Sequence, residues 1–282
     1  MNDNQLYIPK TDYEYPFSTF EHMIKVKKVN SPVLDKNYIY RDKSKKFAFK
    51  QFWFRLFLDV LVLPITRIRY GLRIEGKENL RRNKEKLSRG AVSVCNHVFY
   101  WDYLVVQAGL WPVKTEVPLW KRNNEGPLAS IMRLAGSIPV PEMLSGLRKF
   151  YSALDDAIDE HKTVHFYAEA SMWFYFAPIR PFKKGAFALA QKHGVPVIPL
   201  AISYRKPTGL YKLFKKNEPN VTLHIGEPQT ASTLLPPPLA VDELCDRVRG
   251  MMIRMVGIAN EEENDKLIND YPRCAQNETV LY

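Results

Sequence analysis

The sequence predicts an α/β fold: a central mixed β-sheet flanked by helices and preceded by an interfacial helical segment. Three observations predict it. Short β-prone apolar runs recur as AVSVC (91–95), TVHFYA (163–168), VPVIPLAIS (195–203) and VTLHI (221–225). Helical segments, LRKFYSALDDAIDE (147–160) and KGAFALAQKHG (184–194), alternate with them. A proline-rich stretch (236–238) then opens a further amphipathic helix. Strands alternating with helices bury their apolar faces best as helices packed on a sheet.

Four segments follow from this reading: an N-terminal extension (1–40), basic amphipathic helices (41–75), the α/β domain (76–235), and a C-terminal helix with its tail (236–282). The extension carries scattered aromatics, prolines and charges with weak periodicity, so it is expected to drape over the domain or to be partly disordered. Residues 72–75 read as a short strand, and 78–87 as a charged helix or loop.

The formal charge is +11, and it is concentrated: residues 41–89 hold 15 basic and 5 acidic side chains. Such a block attracts polyanions, either an anionic membrane face or nucleic acid. No RNA- or DNA-binding motif accompanies it, so a membrane surface is the expected partner and nucleic acid is not. The longest apolar stretch, FWFRLFLDVLVLPITRI (52–68), falls short of the roughly 20 residues of a bilayer span and includes Arg55 and Asp59. It reads as a helix lying in the interface or as a buried packing helix with solvated flanks, kinked or ended at Pro64. The N-terminal MNDNQLYIPKTDYEYP lacks the basic start and apolar run of a secretory signal. The expected place is therefore the cytoplasmic face of a membrane, peripheral or monotopic.

Three cysteines, Cys95, Cys245 and Cys274, form no CxxC pair and suggest a reducing compartment. Cys95, two residues before His97, could be a nucleophile, but burial as inert packing is the favoured reading. His22, His161, His165, His193 and His224 show no metal-ligand spacing, so no metal and no bound cofactor is expected.

The chemistry centres on NHVFYWD (96–102). His97 and Asp102 are five apart, about 140° round a regular helix, and would not meet on one. If His97 lies in the loop leaving strand 91–95 and Asp102 in the first turn of the next helix, the imidazole can fold back onto the carboxylate. Asp102 would then fix the tautomer while the other ring nitrogen takes a proton.

This run resembles the Asn-His-x-x-x-x-Asp block of the glycerolipid acyltransferases, the lysophosphatidic-acid acyltransferase type. Three further blocks follow in order. WKRNNEGPLASIMRLAGSIPVPE (120–142) echoes the second, with Lys121 and Gly136 in register; YAEASMW (167–173) echoes Phe-Pro-Glu-Gly-Thr-Arg-Ser, placing Glu169 on the family Glu; and 181–202 resembles the Phe-Lys-x-Gly run and the proline-containing fourth block around Pro196 and Pro199. The resemblance spans about residues 88–230. It implies that His97 deprotonates the hydroxyl of a lysophospholipid-like acceptor, most simply 1-acylglycerol-3-phosphate, for direct attack on acyl-CoA or acyl-carrier protein as co-substrate. It also implies that Asp102 holds His97, that Glu169 contacts or orients the acceptor, and that 195–200, including Pro199, walls the acyl site.

Ala168, Ala170 and Met172 replace the family's Pro, Gly and Arg in the third block, and the second block ends in Pro141-Glu142 where an Arg is expected. Those arginines serve a phosphate, for which a guanidinium fork is suited. Arg180, Lys183, Lys184, Lys121 or Arg122 could substitute, or the acceptor could carry another head group. For Glu169 the plain alternative is a strand-end salt bridge, for Pro199 strand-edge punctuation, and for the aromatic run 173–178 a buried hairpin rather than a lipid contact. A catalytically silent lipid-binding relative and a thioesterase remain as alternatives for the whole chain.

Overall fold

A computed structural model describes residues 6–26, 32–124, 128–214, 218–274 and 279–281. Seven strands form one sheet: β1 (Arg73–Glu75), β2 (Ala91–Cys95), β3 (Thr115–Trp120), β4 (Ser137–Val140), β5 (Thr163–Tyr167), β6 (Val197–Arg205) and β7 (Asn220–Ile225). Their spatial order is β1-β7-β6-β2-β5-β3-β4. Only β6 and β7 run antiparallel; every other neighbouring pair is parallel. The sheet is therefore mixed, as the sequence predicts. Every residue of β2 is buried, which fits a strand with parallel neighbours and layers on both faces.

One face carries α5 (Leu144–Asp159), α6 (Gly185–His193) and α7 (Pro237–Met255), where Leu154, Phe187 and Val248 pack on Val92, Val94, Val197 and Ala201. The other carries α3 (Asp102–Leu110), whose Val105, Val106 and Leu110 meet Ala91, Cys95, Ile198 and Leu200. The strand termini facing the start of α3 are the carboxyl ends, the usual location of ligand sites in open α/β sheets.

The strands expected at 91–95, 163–168, 195–203 and 221–225 are found at 91–95, 163–167, 197–205 and 220–225, and the helices expected at 147–160, 184–194 and from 236 are found at 144–159, 185–193 and 237–255. β3 and β4 are not among the strands the sequence predicts. Each carries a proline inside, Pro118 and Pro139, and proline normally argues against a strand. Both tolerate it here at one side of the sheet, where β4 is the last strand. α4 (Ala129–Ala135) links them and ends at Gly136, whose φ of 110° is left-handed. A Cβ at Gly136 would lie 2.6 Å from the Thr115 carbonyl, so this block-two residue is a packing requirement.

The basic segment forms α1 (Lys45–Phe57) and α2 (Leu63–Arg69), joined by a π-helical turn over Leu58–Val62. Pro64, which has no N–H to give to an earlier carbonyl, sits in the first turn of α2, so the chain widens ahead of it rather than ending there. Three charged residues in the middle of this stretch turn toward the domain, while Lys45, Lys46, Lys50 and Arg69 stay exposed. Arg55 donates to the carbonyls of Thr115 and Ala135, Arg67 to that of Ala108, and Asp59 pairs with Lys114. Phe49, Phe52, Trp53, Phe57, Val60, Leu61, Ile65 and Ile68 face out and are exposed. Among the described residues no helix is long and apolar enough to cross a membrane.

The N-terminal extension drapes over the carboxyl end of the sheet. Tyr15 and Met23 are buried with Trp173, Phe174, Phe176 and Ile268 of α8 (Glu261–Asp270). The aromatic run 173–178 is thus buried, as an irregular turn rather than a hairpin, and is not an exposed lipid contact. Tyr15–Pro16 pairs with Arg273–Cys274, and Ile24–Val26 with Thr279–Leu281, tying the two ends of the chain together.

Candidate active site

The loop after β2 is built around two polar side chains at the end of an apolar strand. Asn96, fully buried, accepts from the Ile202 N–H at 2.8 Å and donates to the Ile202 carbonyl at 3.0 Å, so its amide extends the β2–β6 ladder by one step. Beyond it His97 turns out of the sheet. Its N–H donates to Glu169 Oε2 at 3.0 Å and its carbonyl accepts from Trp173 N–H at 3.0 Å.

Asp102, at the first position of α3, is buried. Its Oδ2 lies 2.6 Å from His97 Nδ1 and accepts from the Val98 N–H at 3.1 Å. The loop folds the imidazole back onto the carboxylate, which the five-residue spacing allows only off a helix. The His97 side chain keeps 22% of its surface exposed against 2% for Asp102, so a solvent-facing edge remains for a reacting group. Cys95 is completely buried, and its thiol is pushed well above the usual range by burial and then by Asp102 and Glu169. It is packing, not a nucleophile.

Glu169 and Arg180 form a buried pair, Oε2 to Nη2 at 2.8 Å, with both side chains shut off from solvent. Glu169 Oε1 also accepts the Arg180 N–H at 2.8 Å. Arg180 donates further to Ser171 Oγ and to the Thr19 carbonyl, and stacks on Trp173. Two sequence expectations change as a result. Arg180 cannot meet a substrate phosphate, because its guanidinium is enclosed and capped by the N-terminal extension. Glu169 does not contact an acceptor; both its oxygens are used, one of them to hold the His97 backbone.

The remaining candidates spread out. Lys121 Nζ lies 3.3 Å from the exposed Glu142 carboxylate. Lys183 is exposed, its ammonium over the Phe20 ring. Lys184 pairs with Asp242 of α7, away from the dyad's own partners. Pro199 sits inside β6, opposite Val94, on the face of Val197 and Ala201, and packs near Gly226 and Met255. It is a core residue on the α7 side of the sheet rather than punctuation at a strand edge.

Sequence reasoning assigned no role to Asn96, Tyr167 or His22. Tyr167 stacks on the His97 ring at 4.0 Å between centroids. His22, from the extension, stacks on Trp120 at 4.2 Å. Burial lowers its pKa to about 4, assisted by the nearby His97, Arg180 and Arg122. The alternation of His165 and Tyr167 in a predicted strand was a usable signal for Tyr167. No periodicity links residue 22 to the site.

With this geometry in view, residues 71–203 match the protein family described as Acyltransferase. The matched stretch is a little under half of the chain. The dyad, Glu169 and most of the motif resemblance fall inside that match, whereas the extension and α7 lie outside it. A solved structure, the 1-acyl-sn-glycerophosphate (LPA) acyltransferase PlsC from Thermotoga maritima, is similar at 18% identity, covering 77% of this chain and 85% of that one with a TM-score of 0.47. No curated protein sequence matches.

Replacing Glu169 by Gln leaves the enclosed Arg180 charge without its counter-ion. Urea denaturation of Glu169→Gln should show a loss of about 3–5 kcal/mol, and a change below about 1 kcal/mol would mean that the pair does not anchor the loop.

Proposed function

We propose that the protein moves a fatty acyl group from a thioester, acyl-CoA or acyl-carrier protein, to the hydroxyl of a lysophospholipid-like acceptor, with His97 as general base. The observation carrying this reading is the 2.6 Å contact between His97 Nδ1 and the buried Asp102 carboxylate, with the imidazole still partly open to solvent. A carboxylate on Nδ1 fixes that proton and leaves Nε2 as the basic nitrogen. The acceptor O–H gives its proton to Nε2 while its oxygen bonds to the thioester carbonyl carbon. The tetrahedral intermediate then collapses with cleavage of the C–S bond, and the imidazolium returns the proton to the departing thiolate, giving ester and thiol. Asp102 stabilises the imidazolium between these steps. No acyl-enzyme is needed, in keeping with the buried Cys95.

1-Acylglycerol-3-phosphate is the first acceptor to consider, its phosphate meeting Lys121 or Lys183 at the rim. A second reading, an acceptor with no phosphate beside the reacting hydroxyl, is favoured by the enclosure of Arg180 behind Thr19. The outward apolar face of α1 and α2, bordered by basic residues, supports docking on an anionic membrane surface from which a lysolipid is drawn.

With labelled oleoyl-CoA and a panel of lysolipids and neutral monoacyl lipids, His97→Ala should lower turnover about 10²- to 10⁴-fold without loss of fold by circular dichroism. Retained turnover refutes the reading; His97-dependent release of free fatty acid without acceptor would identify a thioesterase, and no turnover with any acceptor a silent relative. In sedimentation with anionic vesicles, each of Trp53→Ser and Ile65→Ser should weaken binding by roughly tenfold, the loss of one large apolar contact. Unchanged sedimentation would remove the membrane from the account.

A further inference from the structure

Tyr167 ends β5 beside Cys95, and His165 lies opposite Ser93 on the same two strands. Strand alternation puts His165 and Tyr167 on one face, toward α3. The Tyr167 ring lies nearly flat on the His97 imidazole, 4.0 Å between centroids and 19° between planes. His165 meets the same ring edge-on, at 4.8 Å and 88°. His165 is itself held by Ser93, whose Oγ is 2.9 Å from Nδ1. Burial keeps it neutral, with a pKa lowered to about 3. The Tyr167 ring is therefore fixed from one side and serves as the plate on which the imidazole rests.

Its hydroxyl is enclosed and forms no hydrogen bond of ordinary geometry, an arrangement that folded proteins rarely keep without a use. Burial first, and then the nearby Asp102 carboxylate, raise its pKa well above the usual tyrosine range, so it remains a donor. Asp102 Oδ2 already serves His97 and Val98. In the third block that this chain resembles, the residue at position 167 is Phe; the ring is shared and the hydroxyl is this chain's own.

We propose that Tyr167 is a positioning residue of the His97–Asp102 dyad, its ring holding the plane of the imidazole and its hydroxyl donating to the Asp102 carboxylate. The inference rests on His97 acting as the base. The ring face favours a cationic imidazole stacked on it. A donor to the carboxylate shares the negative charge, fixes its rotation and tempers its pull on the Nδ1 proton.

The test reads the dyad without any substrate. In proton NMR of the purified full-length protein, the His97 Nδ1–H should give a far-downfield resonance, assigned by its loss in His97→Gln. Tyr167→Phe keeps the plate but removes the competing donor, and should move the resonance further downfield. Tyr167→Leu removes the plate and should broaden it through exchange with water. A resonance at the wild-type position or upfield of it in Tyr167→Phe, an unbroadened one in Tyr167→Leu, or none visible in the wild type overturns the proposal. None of these outcomes depends on turnover. An unmoved resonance alongside an inactive His97→Ala would therefore sink this inference and leave acyl transfer standing.

Discussion

A strand buried along its whole length cannot simply stop and present a reactive imidazole; the backbone groups that leave the ladder must be paired again inside the protein. Glu169 meets that constraint for His97. Its carboxylate takes the His97 N–H and is in turn neutralised by Arg180, which is braced by Ser171 and the Thr19 carbonyl. Asn96 does the same one residue earlier with the backbone of Ile202. With both tethers in place the loop returns in time for Asp102 to open α3 under the ring. The dyad is thus a consequence of how the end of β2 is satisfied, and the residues that satisfy it come from β6, from the segment after β5 and from the extension.

The same economy of charge shapes α1 and α2. Arg55, Asp59 and Arg67, which make the segment a poor bilayer span, turn toward the domain and pair with carbonyls or Lys114. Their inward orientation leaves an exposed apolar face from Phe49 to Ile68, with lysines at its N-terminal end and Arg69 at its C-terminal end. A helix pair anchored by its charges and open on its apolar side can dock on a membrane without crossing it.

Much of this was legible in the sequence because local pattern and tertiary role agree. The run 91–95 is apolar but for Ser93 and buried along its whole length, as suits a strand with parallel neighbours, and the helices at 144–159 and 185–193 carry an apolar stripe. Where the two disagree the sequence misleads. Pro118 and Pro139 conceal two strands. Arg180 looked like a phosphate ligand because sequence cannot show that Thr19, 161 residues away, closes over it. Ala170 is a clearer case: it stands where the resembled motif has Gly and adopts a φ of 63°, so the chain keeps the left-handed turn after Glu169 at a cost of about 1–2 kcal/mol.

The central claim, that His97 and Asp102 act as one unit on an acceptor hydroxyl, is tested most directly by a double-mutant cycle on acyl transfer with His97→Ala, Asp102→Asn and both together. Groups that act as a unit lose their effect once, so the double variant should be no slower than His97→Ala alone. Losses that multiply, with the double variant slower by the product of the two single effects, would show that the imidazole and the carboxylate work independently and would contradict the account.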